Sequence, residues 1–320
     1  MKIYKDINEV IGNTPLIRLQ HLPKQYHCNA DIMLKLESFN PGRSIKDRIA
    51  VSMIKEAENA GLIQRGSSTI IEATSGNTGI GLAMVCAANG YRLILTMPDN
   101  MSQERQQLLK AYGAEVVTTP AKLDMAGAIA RANELLASIP NSFSPQQFSN
   151  PANPKIHYQT TGPEIWADTE GNIDVFVVGV GTGGTLTGAG YYLKQQKPDL
   201  KIIAVEPASS AVLSGKNRGI HDIQGIGAGF IPDVLREDLI DEVVQVSEDD
   251  AYKFGLLLAE TEGIMSGIST GAVVSVALKI GAGSDYRDRT IVTIQASGGE
   301  RYLSTQMFQP QSLAAVAHEG

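Results

Sequence analysis

The stretch Asp174 to Gly188, DVFVVGVGTGGTLTG, reads as a buried strand running into a glycine-rich turn and then a helix. DVFVVGV (174–180) is an almost unbroken apolar run, the pattern of a strand covered on both faces. Gly179, Gly181 and Gly184 satisfy G-x-G-x-x-G, and glycines there let the backbone approach an anion while Thr182 and Thr185 add hydroxyls. Glu206 ends the next apolar run about twenty residues on, so this motif alone fits a dinucleotide fingerprint as well as any other phosphate cradle.

The same rhythm extends both ways. Upstream, IMLKLES (32–38), STIIEAT (68–74), RLILTMP (92–98) and EVVTTP (115–120) read as strands. Helices are expected over 45–60, from Gly79 to about Ala88, from near Ser102, and through LDMAGAIARANELLASIP (123–140). Downstream, KIIAVEP (201–207), EVVQVS (242–247) and TIVTIQAS (290–297) are strands, with helices through Lys197 and from Asp249. Such alternation implies an α/β fold with parallel sheets, because crossover helices cover both sheet faces. The Pro/Asn-rich SPQQFSNPANP (144–154) separates the two series.

Composition narrows the function. The 320 residues suit one large or two modest domains, 43% apolar residues can bury a core, and 19% charged residues argue against disorder. A net charge of −7 disfavours a nucleic-acid or anionic-membrane partner, so an anionic ligand must be held by loops and helix ends. Two cysteines, Cys28 and Cys86, make neither a disulfide framework nor a thiolate metal site, and the five histidines lack metal-ligand spacing. No metal is expected. MKIYKDINEVIGNTP has no apolar signal core and no run of about 18 apolar residues occurs, which points to a soluble, cytoplasmic protein.

Three further loops carry polar clusters. In EATSGNTGIGLAM (72–84), Thr74, Ser75, Gly76, Asn77 and Thr78 lead into a helix whose free N–H groups can hold a carboxylate. A helix cap needs one hydroxyl, and several together favour a binding loop. In QASGGERYL (295–303), Ser297 is equally a turn hydroxyl or a site residue. Gly267 to Gly271, GISTG, matches the G-x-S-x-G nucleophile elbow, but only His318 follows it, in the terminal stretch, and a hydrolase of that kind needs a positioned histidine.

FNPGRSIKDRIA (39–50) poses an electrostatic question. Pro41-Gly42 breaks the chain, Ser44 looks like an N-cap, and Ile45, Ile49, Met53, Ile54 and Ala57 recur at helical spacing. Lys46 then lies in the first turn, where a protonated amine has the wrong sign by about 0.3–1 kcal/mol. A surface lysine neutralised by Asp47 is the ordinary reading. Against it, Lys46 borders the apolar stripe through Ala50 and Met53, and a desolvated amine facing a helix N-terminus sheds its proton readily, as a Schiff base requires.

Taken together, IGNTPLIRL (11–19), NPGRSIKDRIA (40–50), EATSGNTGIGLA (72–83), MPDNMSQERQQLLKAYGAE (97–115), QQFSNPANPKIHYQTTGPEIW (146–166), GVGTGGTLTG (179–188), GIGAGFIP (225–232) and GERYLS (299–304) resemble one family. It is the cysteine synthase (O-acetylserine sulfhydrylase) family of pyridoxal-phosphate enzymes, fold type II, tryptophan-synthase-β-like. The resemblance runs from about Ile3 to Phe308. It implies two parallel-sheet α/β domains with the active site in the cleft between them. A smaller mobile domain would span 48–148, a larger one 1–47 and 149–308, and a flexible tail 309–320.

The resemblance also implies roles. Lys46 would form the internal aldimine with pyridoxal 5′-phosphate and later remove the substrate Cα proton. Asn77 would bond the cofactor's 3-oxygen, Gly181, Thr182, Gly183, Gly184 and Thr185 its phosphate, and Ser297 its pyridine nitrogen. Thr74, Ser75, Thr78 and Gln147 would bind the substrate carboxylate. The implied reaction is β-replacement, O-acetyl-L-serine and sulfide giving L-cysteine and acetate through an α-aminoacrylate. A homodimer and docking of the C-terminal tail of serine acetyltransferase are implied partners. Arg43 and Gly298 depart from the family's usual residues, and Arg43 keeps O-phosphoserine open as substrate. A cystathionine β-synthase-like use of homocysteine also stays open, whereas a nicotinamide oxidoreductase leaves Lys46, Asn77 and Ser297 without roles.

Overall fold

The computed structural model describes residues 3–309 and 312, so the expected tail 309–320 lies outside the described residues except at Gln309 and Ser312, as does His318. Among the described residues, ten strands follow in chain order: β1 (Leu16–Arg18), β2 (Asp31–Leu36), β3 (Thr69–Ala73), β4 (Arg92–Pro98), β5 (Glu115–Thr119), β6 (Ser142–Phe143), β7 (Val175–Gly179), β8 (Lys201–Pro207), β9 (Glu242–Val246) and β10 (Thr290–Gln295). The longer helices are α1 (Lys46–Asn59), α2 (Asn77–Asn89), α3 (Gln103–Ala111), α4 (Asp124–Ser138), α5 (Glu248–Glu262) and α6 (Ile268–Gly281). The chain divides into two compact units: residues up to Ile11 with Asn40–Asn153, and Gly12–Phe39 with the chain from Pro154 onward. Residues up to Ile11, 40–47 and 149–153, all expected in the larger domain, lie in the first unit; the turn before α1 packs with α1 itself.

The first unit is built on a four-stranded sheet in the order β5-β4-β3-β6, parallel throughout. β4 is buried at every position after Arg92, as a strand sandwiched between helices must be. On one face Leu82, Val85, Leu93, Leu95 and Met97 pack with Ala50 and Ile54; on the other, Ile71 and Ile94 meet Ala132 of α4. α1 and α2 meet at a bare glycine. A Cβ on Gly81 would stand 3.0 Å from the Lys46 carbonyl oxygen and 3.1 Å from Ala50 Cβ, so the two backbones can be this close only without one.

The second unit has a six-stranded sheet, β1-β2-β10-β7-β8-β9. β1 pairs antiparallel with β2 and every other pairing is parallel. This short antiparallel edge was not legible in the sequence: only three residues pair, two of them exposed. β10, last in sequence, lies between β2 and β7, which brings the 295–303 loop beside the ends of the first strands of the unit. The core comprises Ile32, Leu34, Val175, Val177, Ile203, Val205 and the inward faces of α5 and α6.

Helix starts deviate from the sequence reading in two places. At Ser44 the hydroxyl does accept the Lys46 N–H at 3.2 Å, but Ile45 is already helical (φ −59°, ψ −20°), so the start is a tightened turn and the flanking residue is Ile45. α2 begins at Asn77, not Gly79, directly after an extended Gly76. Among the described residues, no helix is long and apolar enough to cross a membrane.

Candidate active site

In the first unit, Lys46 is the first residue of α1 and is half-buried. The turn before it is braced by its neighbour: the buried Asp47 carboxylate accepts the Gly42 N–H at 2.6 Å, and a Cβ on Gly42 would run into that carboxylate. Asp47 therefore shapes the turn that presents Lys46. Arg43, exposed, occupies the left-handed region at φ 65°, one residue after Gly42.

The Thr74–Thr78 loop leaves the carboxyl end of β3 and opens α2. Thr74 and Thr78 are buried, while Ser75, Gly76 and Asn77 are half-buried. Thr78 Oγ1 donates to Gln147 Oε1 at 2.6 Å, and Thr74 Oγ1 accepts the Gly76 N–H. The structure thus brings Gln147 to the Thr74–Thr78 loop, from 69 positions away. Glu72 makes this possible: its carboxylate accepts from Ser144 Oγ (2.8 Å), Gln146 N (3.1 Å) and Gln147 N (3.3 Å), pinning the 144–147 segment to β3. Burial pushes the Glu72 carboxyl above its ordinary pKa, against the opposing pull of those donors.

In the second unit, the turn after β7 is shaped by missing side chains. A Cβ on Gly181 would collide with the Gly225 carbonyl oxygen, and Gly183 (φ 81°) would push a Cβ to 2.8 Å from Leu235 Cβ. The chain turns helical at Gly184, passes through a π turn at Leu186–Gly190 and continues as a helix over Tyr191–Gln196. A second π turn, His157–Thr161, packs on the first at Gly188, where a Cβ would strike the Pro154 carbonyl. π turns recur at functional sites. Here they bring His157, 1% exposed, between two hydroxyls: Nε2 lies 3.3 Å from Thr185 Oγ1 and Nδ1 2.9 Å from Thr161 Oγ1. The sequence reading missed His157, since its signal is only its place in KIHYQTTG.

Ser297 follows β10, is 1% exposed, and its Oγ lies 2.9 Å from the Tyr302 hydroxyl. The 265–270 segment lies alongside: Gly267 N donates to Ser297 O, and Ser266 forms a bridge pair with Gly298. The hydroxyls of Ser266 and Thr270 are buried without a partner.

Two competing motif readings fail on this geometry. The Glu206 carboxylate is taken up by Leu213 N (2.8 Å), Ser214 N (3.0 Å) and Ser214 Oγ (2.6 Å), which commits it to its own loop and not to a ribose. Ser269 sits inside the first turn of α6 and not at a strand-to-helix elbow. Among the described residues, no group of three or more His, Cys, Asp or Glu side chains could hold a metal ion.

A model of the pyridoxal-phosphate dependent enzyme family matches residues 7–296. The chain belongs to this family. A cysteine synthase of Staphylococcus aureus (strain N315) is 50% identical over 308 residues, spanning 95% of this chain and 96% of that protein. The solved cysteine synthase (OASS) of Entamoeba histolytica superimposes with a TM-score of 0.93 at 41% identity, over 99% of this chain and 96% of that one. An O-acetylserine-dependent cystathionine β-synthase from Helicobacter pylori matches at 38% identity and a TM-score of 0.89, over 97% of this chain and all 100% of that one. The protein is an enzyme whose cofactor is pyridoxal 5′-phosphate.

The residues present fit that group. A side-chain-free turn opening a helix, with Thr182 and Thr185 beside it, suits a phosphate. The corner around Ser297, with unsatisfied hydroxyls on the adjoining segment, has hydrogen-bonding capacity to spare for a ring nitrogen. In the first unit, the half-buried Lys46 carries a primary amine, the kind of group that condenses with an aldehyde.

Proposed function

We propose that this protein is a cysteine synthase that converts O-acetyl-L-serine and sulfide into L-cysteine and acetate. The observation that carries this reading is the polar loop Thr74–Thr78, closed by the Thr78–Gln147 hydrogen bond, in a chain half-identical to a cysteine synthase.

Lys46 would hold the cofactor through its side-chain amine, and its Nζ would serve as general base for the substrate Cα proton. The backbone N–H groups of Gly181, Thr182, Gly183, Gly184 and Thr185 would hold the phosphate at the helix start, with the threonine hydroxyls beside them. Asn77 would hydrogen-bond the cofactor's 3-oxygen and Ser297 its pyridine nitrogen. Thr74, Ser75, Thr78 and Gln147 hold the substrate carboxylate. With Gln147 Oε1 taken by Thr78, the Gln147 amide nitrogen is the end left to donate, the polarity a carboxylate needs. When bound, the cofactor draws electrons from the substrate Cα, which makes its proton removable and lets acetate leave from Cβ.

The same reading carries a homodimer, a cytoplasmic location and docking of the C-terminal tail of serine acetyltransferase. Support for these is the family resemblance, and co-purification with size-exclusion chromatography tests the two assemblies. Arg43 favours a second reading in which O-phosphoserine is the better donor, since it adds positive charge three residues before Lys46.

The test has two parts. Borohydride reduction and peptide mapping of the cofactor-saturated protein should find the pyridoxyl group on Lys46. Product analysis should find cysteine from sulfide faster than cystathionine from homocysteine. A pyridoxyl group on another lysine removes the proposed role of Lys46, and preferred formation of cystathionine removes the cysteine synthase reading.

A further inference from the structure

We infer that Tyr302 is a positioning residue that fixes the direction of the Ser297 hydroxyl, making it a hydrogen-bond donor toward the cofactor's ring nitrogen and so holding that nitrogen unprotonated. The inference deepens the proposed function and rests on its placement of Ser297 at the pyridine nitrogen.

The geometry is local to the second unit. Ser297 Oγ and Tyr302 OH are 2.9 Å apart, and both residues are at least 98% buried, being 1% and 2% exposed. Neither hydroxyl can drift. Gly267 closes on the pair so tightly that a Cβ there would lie 2.5 Å from Ser297 Oγ and 2.6 Å from Tyr302 Cε2. The Gly267 N–H also holds the Ser297 carbonyl at 3.0 Å. Tyr302 is fixed from both sides along its backbone, its N–H donating to Gly299 O at 2.9 Å and its carbonyl accepting from Thr305 N at 2.8 Å.

The chemistry then sets the direction. A serine hydroxyl has one proton and two lone pairs, and a phenol is the stronger donor of the two groups. The favoured arrangement is Tyr302 O–H donating to Ser297 Oγ. That spends a lone pair of the serine and leaves its single proton for an acceptor. A ring nitrogen presents an acceptor only when unprotonated; a protonated one would need Ser297 to accept. Tyr302 thereby favours the unprotonated ring without touching it. This differs from plain packing, which a ring lacking the hydroxyl would also supply.

The experiment uses holoenzyme reconstituted with pyridoxal phosphate carrying ¹⁵N in the ring, in wild type, Tyr302→Phe, Ser297→Ala and the double variant. The ring ¹⁵N resonance across pH reports protonation, and titration of the apoprotein gives cofactor affinity. Phenylalanine keeps the ring that Gly267 touches, and the thermal midpoint of each variant checks that the fold is intact. Tyr302→Phe should move the midpoint of nitrogen protonation up by roughly one pH unit, the size of shift a changed hydrogen bond produces. In the Ser297→Ala background the same substitution should move it no further. An unchanged resonance in Tyr302→Phe, or an equal shift in both backgrounds, overturns the role of Tyr302. A Ser297→Ala protein with a wild-type resonance overturns instead the placement of Ser297, and the two failures are told apart by that single variant.

Discussion

Thr78 Oγ1 donates to Gln147 Oε1 at 2.6 Å, joining the first turn of α2 to a segment 69 residues further along the same unit. Both side chains are buried, so the bond is held in a fixed direction: hydroxyl to amide oxygen, with the amide nitrogen left over. On the proposed carboxylate placement, replacing Gln147 by Ala, or Thr78 by Val, takes away one donor to a charged carboxylate or its support. Hydrogen bonds to charged groups are worth about 1.5–3 kcal/mol, so KM for O-acetylserine should rise roughly 10- to 100-fold. Because the carboxylate is bound alike in ground and transition states, kcat should change far less. Steady-state kinetics on both variants check this, and a fall in kcat with KM unchanged would remove these residues from carboxylate binding.

His157 predicts a different signature. It links the glycine turn to the second π turn through Thr185 and Thr161, and its ring is almost wholly buried. His157→Ala leaves the Thr185 hydroxyl without this partner and hollows the contact between the π turns. The cost to the proposed phosphate cradle should be about 1–3 kcal/mol, or roughly 5- to 150-fold weaker cofactor binding. Fluorescence titration of the apoprotein with pyridoxal phosphate measures it. Affinity within twofold of wild type would show that the histidine serves packing alone.

Glu72 gives a stability prediction with a definite sign. Burial raises its folded-state pKa above the unfolded value, so the folded chain holds its proton more tightly. Its contribution is therefore full below the ordinary carboxyl range and is lost as pH rises through the raised folded value. Glu72→Gln cannot titrate, so wild type should gain stability relative to this variant as pH falls from neutrality toward about 4.5. Urea unfolding at several pH values reads the difference. A constant gap between the two proteins across that range would mean that Glu72 titrates normally when folded.

What could be read from the chain follows from where the physical signal is local. β4 and β8 match RLILTMP and KIIAVEP residue for residue, because strands covered by helices on both faces must be apolar throughout. The glycine turn was legible for a related reason: only glycine tolerates the contacts that Gly181 and Gly183 make with Gly225 and Leu235. Glu72, His157 and Tyr302 were not legible as supports of the proposed site. Each acts through a partner, and a buried glutamate in STIIEAT looks the same whether or not Ser144 and Gln147 come to meet it. Strand β1 escaped because three paired residues carry no periodicity.

Arg43 separates substrate preference from stability. A non-glycine residue at φ 65° carries strain of about 1–2 kcal/mol, and Arg43→Gly would release it. Glycine also loosens the unfolded chain, which returns roughly 0.4–1 kcal/mol. The two effects nearly cancel, so the thermal midpoint should move by no more than about 2–4 °C, the shift expected for 1 kcal/mol in domains of roughly 150–250 residues. The substrate ratio should move more. If the guanidinium favours a phosphate leaving group, its removal costs a charge-assisted bond of about 1.5–3 kcal/mol and lowers kcat/KM for O-phosphoserine roughly 10- to 100-fold while sparing O-acetylserine. Measuring both substrates on both proteins decides it. An unaltered ratio would leave the arginine with no part in donor choice, and acetate would stand as the leaving group.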